Sequence, residues 1–103
     1  MSNNDMNQIF LNRNDILDAA KDLVNGDRQS QYGDPAEMWT AIAEAWTAYL
    51  GTPVSPTDAI CMMIAMKLQR IRRNPHHTDS WIDIAAYAGL GGEVAEIVRV
   101  NQA

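Results

Sequence analysis

Two short stretches of this chain, DPAE at residues 34–37 and SPTD at residues 55–58, mark helix starts. In each, a residue that commonly caps helices is followed by proline, which is favoured in the first helical turn. Asn74-Pro75 then ends the helix that SPTD begins, because proline cannot continue a helix. Apolar residues recur at helical spacing between these points, and strand-like alternation is absent. The sequence therefore predicts an all-α fold.

The same signals divide the chain into four predicted helices, which we expect to pack as a four-helix bundle. Residues 1–12 are expected to be a flexible N-terminal segment, and residues 13–103 a single helical domain. The predicted helices run from about Asn14 to Asn25, from DPAE to about Leu50, from SPTD to about Arg73, and from Thr78 or Asp79 to about Val100.

Charge and hydropathy exclude several kinds of partner. No run of about 18 apolar residues is present for a membrane span, and the first residues lack the pattern of a secretory signal. We therefore expect a cytoplasmic protein with no membrane partner. A net charge of −5 argues against non-specific binding to nucleic acid, because the overall field repels polyanions. The single cysteine, Cys61, lies in the apolar run CMMIAM, which predicts a buried thiol.

The third predicted helix is apolar almost all round. One face is defined by Ile60, Ile64, Leu68 and Ile71, while the run CMMIAM makes its first turns apolar on the other sides as well. Such a helix is expected at the centre of its bundle. Together with three Trp and six Met in the chain, this exceeds what four short helices can hide, so we predict a homo-oligomer.

One carboxylate stands out in the fourth predicted helix. From Trp81 to Gly92 the only ionisable groups are Asp83 and the phenol of Tyr87, and isoleucines flank Asp83. We expect Asp83 to be at least half buried, which requires a partner. The short connection at Asn74-Pro75 brings Lys67 or Arg70 within reach. Two interpretations remain open: a structural ion pair, or part of a ligand site.

A second carboxylate, Asp79, lies one turn before Asp83. Carboxylates four residues apart face the same side of a helix and repel unless a cation such as Mg²⁺ lies between them. Asp79 is also well placed to cap the fourth helix. His76 and His77 have no third partner at metal-ligand spacing, which argues against zinc.

Three motifs resemble those of known proteins. DRxxxYGDP at residues 27–35, KLQRIRRNP at 67–75 and DSWIDIAAYA at 79–88 resemble a group of short phage and prophage proteins of unassigned function. This resemblance covers about Asp27 to Glu96. The early YG, the K-x-x-R and the D-x-x-x-Y are more distantly similar to the MazG-like all-α nucleotide pyrophosphohydrolases.

The distant resemblance implies an oligomeric bundle that binds a nucleoside phosphate, with E-x-x-E and E-x-x-D motifs holding Mg²⁺. Here these motifs are only approximated, by Asp34 with Glu37 and by Asp79 with Asp83. The candidate metal ligands are therefore Asp79, Asp83 and Glu37, although Asp34 and Glu37 are also explained as a helix cap with a capping box. Because the acidic motifs depart from the family pattern, no catalytic residue is assigned.

The connector between the first two helices adds further candidate ligand groups. It supplies a guanidinium in Arg28, a ring in Tyr32, and glycines that let backbone N–H groups approach a ligand. Trp39, Trp46 or Trp81 could stack on a base, although tryptophans at helical spacing more often serve as core. The predicted ligand-binding residues are Arg28, Tyr32, Lys67, Arg70, Asp83 and Tyr87.

Three functions are consistent with these residues, and the first two have a nucleotide or phosphorylated small molecule as ligand. The first is a Mg²⁺-dependent hydrolase of a nucleoside triphosphate or related phosphoanhydride. The second is a non-catalytic sponge that sequesters a host defence signalling nucleotide, in the cytoplasm of a bacterial host. The third is a structural or protein-interaction bundle in which Asp83 only pairs with Lys67 or Arg70.

Overall fold

The computed structural model describes residues 10–26 and 33–102, which form helices and connections without a β-strand. The helices are α1 (Arg13–Asn25), α2 (Pro35–Leu50), α3 (Pro56–Arg73) and α4 (Thr78–Gln102). The predicted all-α class and the four helices are confirmed, with boundaries within about two residues of those expected. Within these ranges, no helix combines the length and the apolar character needed to cross a membrane.

Capping hydrogen bonds at the helix N-termini explain why these boundaries can be predicted from the sequence. Asn12 and Asp15 exchange side-chain to backbone hydrogen bonds of 3.0 Å in both directions at the start of α1. Ser55 and Asp58 form the same capping box before α3, with hydrogen bonds of 3.1 and 3.0 Å. Sequence thus encodes these two starts through local hydrogen bonds alone.

The starts of α2 and α4 differ in part from the prediction. Asp34 caps α2 by accepting a 3.3 Å hydrogen bond from the Ala36 N–H, but Glu37 makes no reciprocal bond, so the predicted capping box is absent. Helix α4 begins at Thr78, which makes Asp79 its second residue rather than its cap. Both acidic residues lie in a first turn, where the helix dipole favours negative charge.

Helix α4 is the centre of the fold. It packs against α1, α2 and α3, with its most extensive contact to α3. Helix α3 contacts only α2 and α4 among the described helices, so the prediction that the third helix is central was wrong. The apolar residues of α3 do surround the helix, but other helices cover only one side of it.

Helices α3 and α4 run antiparallel, as their short connection requires. The Lys67 side chain meets Asp83, and nearer the start of α3 a Cβ atom added at Gly91 would lie 3.2 Å from Ile60 Cγ2. Helix α4 is continuous through Gly89, Gly91 and Gly92, although glycine is an unfavourable residue within a helix. At Gly91 the missing side chain has a packing reason, because it lets Ile60 approach the α4 backbone.

The core lies between α2, α3 and α4. Trp39, Ala59, Ile60 and Val94 form its buried cluster, and partly buried side chains that include Trp46 and Tyr87 pack against it. The opposite side of α3 is uncovered. There Cys61 is exposed, so the predicted burial of its thiol was wrong. Leu68 is exposed as well, so its predicted place on the buried face with Ile60 and Ile71 was also wrong.

Candidate functional site

A cavity of about 550 Å³ opens between the four helices. This volume is within the usual range for small-molecule sites. Its wall is mostly apolar and aromatic, with one lysine and one aspartate. The lining residues are Leu23, Val24, Gly33, Pro35, Met38, Trp39, Ile42, Trp46, Met63, Lys67, Asp83, Ala86, Tyr87 and Leu90.

The polar part of the wall is an ion pair between α3 and α4. Lys67 Nζ lies 2.8 Å from Asp83 Oδ2, and the two side chains are 13% and 28% exposed, respectively. The predicted burial of Asp83 is therefore confirmed, and of its two predicted partners, Lys67 and Arg70, it is Lys67 that forms the ion pair. An ammonium group has three N–H donors and a carboxylate has two acceptor oxygens, so each partner retains capacity for further hydrogen bonds.

Two aromatic residues meet behind this pair. The rings of Trp39 and Tyr87 are 6.0 Å apart between centroids and inclined at 79°, an edge-to-face arrangement. Trp39 is only 4% exposed and so belongs to the core, whereas Trp46 and Tyr87 are partly exposed in the wall. Trp81 lies away from the cavity, where its indole N–H donates to the Pro75 carbonyl at 2.9 Å.

Trp39 also carries an unusual polar group. Its indole Nε1 is buried and has no hydrogen-bond partner among the described residues. Leaving such a donor unsatisfied costs about 1–3 kcal/mol, and most buried donors avoid this cost. Trp39 therefore carries a donor whose pairing would stabilise the fold.

Several predicted site residues are not brought to the cavity. Arg70 is exposed, is absent from the wall and forms no ion pair with a described residue. Asp79 and Glu37 are exposed in the first turns of α4 and α2, so Asp83 is the only carboxylate among the described lining residues. No three His, Cys, Asp or Glu side chains in the described ranges are grouped to hold a metal ion. The predicted Mg²⁺ ligands are therefore not assembled in this part of the chain.

The remaining predicted ligand residues, Arg28 and Tyr32, lie outside the described residues and stay predictions. Two described lining residues flank the segment that contains them in the sequence. Val24 lies just before it and Gly33, with a φ of 76°, comes directly after it. Glycine accommodates that left-handed conformation without strain.

Sequence reasoning missed most of the apolar wall. Among the lining residues, Leu23 and Val24 of α1 carry no sequence signal for a ligand site, and Met63 is only one of the apolar residues in the run CMMIAM. Met63 lies one turn before Lys67, so the α3 wall could have been inferred from helical spacing. The contribution of α1 depends on its packing against α4, which no local pattern encodes.

Comparisons with known proteins agree with the predicted phage relationship. Residues 15–95 match a family described as a domain of unknown function, DUF6378. The "Gene 55 protein" of Mycobacterium phage L5 is 42% identical over 76 residues, covering 73% of this chain and 49% of that protein. The "Gene 55 protein" of Mycobacterium phage D29 is 39% identical over 81 residues, covering 79% and 54%, respectively.

The matches cover most of this chain but only about half of each relative. This chain spans about half the length of the two phage proteins. No solved structure matches it. The family match nevertheless covers all the described residues that line the cavity, from Leu23 to Leu90. The chain belongs to the DUF6378 family.

Proposed function

We propose that this chain is a nucleotide-binding module that holds its ligand in the cavity without hydrolysing it. One observation carries the proposal: the Lys67–Asp83 ion pair lies in the wall of an otherwise apolar and aromatic cavity. Such a wall suits a ligand with a planar apolar part and a single anionic group. A nucleoside carrying one phosphate has both features.

The base would occupy the apolar part of the cavity. Trp46 and Tyr87 supply ring surfaces, and Ile42 and Met63 complete the wall around them. Stacking of a base on an aromatic side chain contributes about 1–3 kcal/mol and tolerates different bases. This part of the site would therefore contribute binding affinity but no specificity for one base over another.

The phosphate would bind Lys67. Its Nζ donates towards Asp83, which orients the ammonium group, and the remaining N–H bonds can meet phosphate oxygens. Asp83 accepts hydrogen bonds and would suit the ribose hydroxyls. Since the two side chains have no net charge together, the described wall does not balance several phosphate charges. We therefore expect preference for mono- or cyclic phosphates over triphosphates.

The arrangement of acids favours binding over hydrolysis. A magnesium-dependent phosphohydrolase needs several oxygen ligands around its metal, and the described wall offers one carboxylate. The predicted MazG-like activity is therefore not part of this proposal, and no step through Mg²⁺ is assigned. Sequestration of a nucleotide would suit a chain that has relatives in phages.

A thermal-shift panel of nucleoside mono-, cyclic and triphosphates tests the proposal. A ligand at 100 times its Kd adds about 2.7 kcal/mol of stability. For a domain of this size, that corresponds to a rise in Tm of roughly 10–20 °C. Lys67→Met should reduce the rise to about half or less, because its Kd is expected to be at least about tenfold higher. Arg70→Met is the matched control, because it removes a cation of the same helix outside the cavity, and should retain it.

The same samples test hydrolysis. Each nucleotide is incubated with the protein and Mg²⁺ and then separated by chromatography. We expect every input to emerge intact. A product that appears with wild type and is lost in Asp83→Asn would support the hydrolase and contradict the non-catalytic proposal.

A structural role for the ion pair is the second candidate, and it has its own supporting observation. Lys67 and Asp83 satisfy each other's charge at 2.8 Å without any ligand. If no nucleotide raises the Tm of the wild type, while Lys67→Met lowers its stability, this interpretation replaces the first.

A further inference from the structure

Helix α3 exposes an apolar face on the side away from the other helices. Met62, Met66 and Leu68 are 45%, 42% and 44% exposed, and Cys61 and Ala65 beside them are exposed as well. We call these five residues the outer face of α3. Adjacent exposed apolar side chains of this kind often mark an interaction surface.

The outer face has the spacing of a helix-pairing seam. Residues 58, 61, 65, 68 and 72 follow one another at intervals of three and four, which is the heptad pattern of paired helices. Ala65 is at the centre of this series and Cys61 is next to it. Both side chains are small, so a second helix can approach α3 closely at this point.

The charges at the two ends of the seam are opposite. Asp58 lies at its N-terminal end and Arg72 at its C-terminal end, and both are exposed. If two copies of α3 cross antiparallel at Ala65, positions equally far from Ala65 meet across the axis. Asp58 then faces Arg72, and Met62 faces Leu68. A parallel pair would instead place like charges together, which is unfavourable.

We propose that the outer face of α3 binds the same face of a second copy of this chain, antiparallel and centred on Ala65. A twofold interface must be complementary to itself. The outer face meets this requirement together with the charges that flank it, because Asp58 and Arg72 lie symmetrically on either side of Ala65. This assigns a surface and a register to the predicted homo-oligomer.

The dimer leaves the cavity accessible in each subunit. Met63 and Lys67, which line the cavity, lie on the opposite side of α3 from Ala65. Dimerisation and ligand binding are therefore separable, and the inference does not depend on the proposed nucleotide.

Sedimentation equilibrium of the full chain tests the interface. We expect wild type to have twice the 11.4 kDa mass of one chain and Ala65→Arg to have the mass of one chain. Ala95→Arg, at an exposed position of α4, is the matched control and should stay dimeric. Far-UV circular dichroism establishes that each variant keeps its helices. A monomeric wild type, or a folded Ala65→Arg that remains a dimer, would overturn the proposal.

A charge-exchange experiment tests the register. Arg72→Glu and Asp58→Lys should each be monomeric, because each places like charges in both contacts of the dimer. Mixing the two variants restores opposite charges at both contacts and should restore a species of twice the mass. Only Asp58→Lys disturbs the capping box of α3, so Arg72→Glu is informative even if that partner fails to fold. A folded Arg72→Glu that remains fully dimeric would contradict the antiparallel register.

Discussion

The two sides of α3 are similar in composition and opposite in environment. On the inner side Ile60 is 1% exposed and Lys67 pairs with Asp83, while on the outer side Met62 and Leu68 remain close to half exposed. The difference lies in what α2 and α4 cover. A helix that is apolar all round therefore indicates that its sides need packing partners. It does not indicate which sides are covered by helices of the same chain.

The largest expected effect comes from breaking the inner side. Ile60→Ala removes a fully buried side chain that packs with Trp39 and Val94, and should lower the free energy of unfolding by about 2–5 kcal/mol. Met62→Ala, two residues further on, is the outer-side comparison. Its effect on subunit stability should stay within about 0.5 kcal/mol.

Urea denaturation of both variants in the Ala65→Arg background measures this contrast without a contribution from dimerisation. The expected order is a large loss for Ile60→Ala and almost none for Met62→Ala. Equal losses would mean that the outer side is packed within the subunit, which would remove the contrast between the two sides.

The next largest effect concerns the ion pair of the inner side. Lys67→Met leaves the largely buried Asp83 carboxylate without its cation and should cost about 1–3 kcal/mol. Arg70→Met, three residues away, should cost less than about 0.5 kcal/mol, because Arg70 is exposed. Thermal unfolding of the two variants gives the comparison.

Adding Asp83→Asn to Lys67→Met should recover part of the lost stability, because it removes the unpaired charge. In a double-mutant cycle the coupling between the two positions should be about 1 kcal/mol or more. A coupling near zero would show that the 2.8 Å contact contributes nothing to stability.

The smallest expected effect comes from adding a single methyl group at one of two glycines of α4, of which one faces Ile60 on the inner side of α3 and the other has no neighbour. Gly89→Ala should stabilise the helix by about 0.5–1 kcal/mol, because its added Cβ meets no neighbouring atom. Gly91→Ala brings the same helical gain but places its Cβ 3.2 Å from Ile60 Cγ2. We expect it to be about 1 kcal/mol less stable than Gly89→Ala by chemical denaturation. If both gain equally, Ile60 is not tightly packed on α4.

Local signals were enough to predict the helices. Hydrogen bonds between residues three apart define the starts of α1 and α3, and these depend only on nearby sequence. The pairing of Asp83 was also predictable, because a carboxylate in an apolar stretch requires a cation and the short connection limits which cations can reach it.

What could not be predicted is the exact direction in which each helix faces its neighbours. Viewed along the axis of α3, the side chains of Arg70 and Ile71 point to opposite sides of that of Lys67. Ile71 is buried in the core, whereas Arg70 is exposed. On α4 the side chains of Asp79 and Ser80 likewise point to opposite sides of that of Asp83, and of the two it is Ser80 that is fully buried. These neighbouring side chains differ in direction by about 40–60° around the helix axis, and tertiary packing rather than the helical period decides which of them faces the core.

We propose above all that Lys67, oriented by Asp83, makes the cavity a binding site for a ligand that carries a phosphate group. Isothermal titration of the wild type, Lys67→Met and Arg70→Met with nucleoside mono- and cyclic phosphates tests it most directly. We predict binding to the wild type, a Kd raised about 10–100-fold by Lys67→Met, and no change in Arg70→Met, as expected for loss of one charged hydrogen bond. No binding by the wild type, or equal affinity of Lys67→Met and the wild type, would contradict the account.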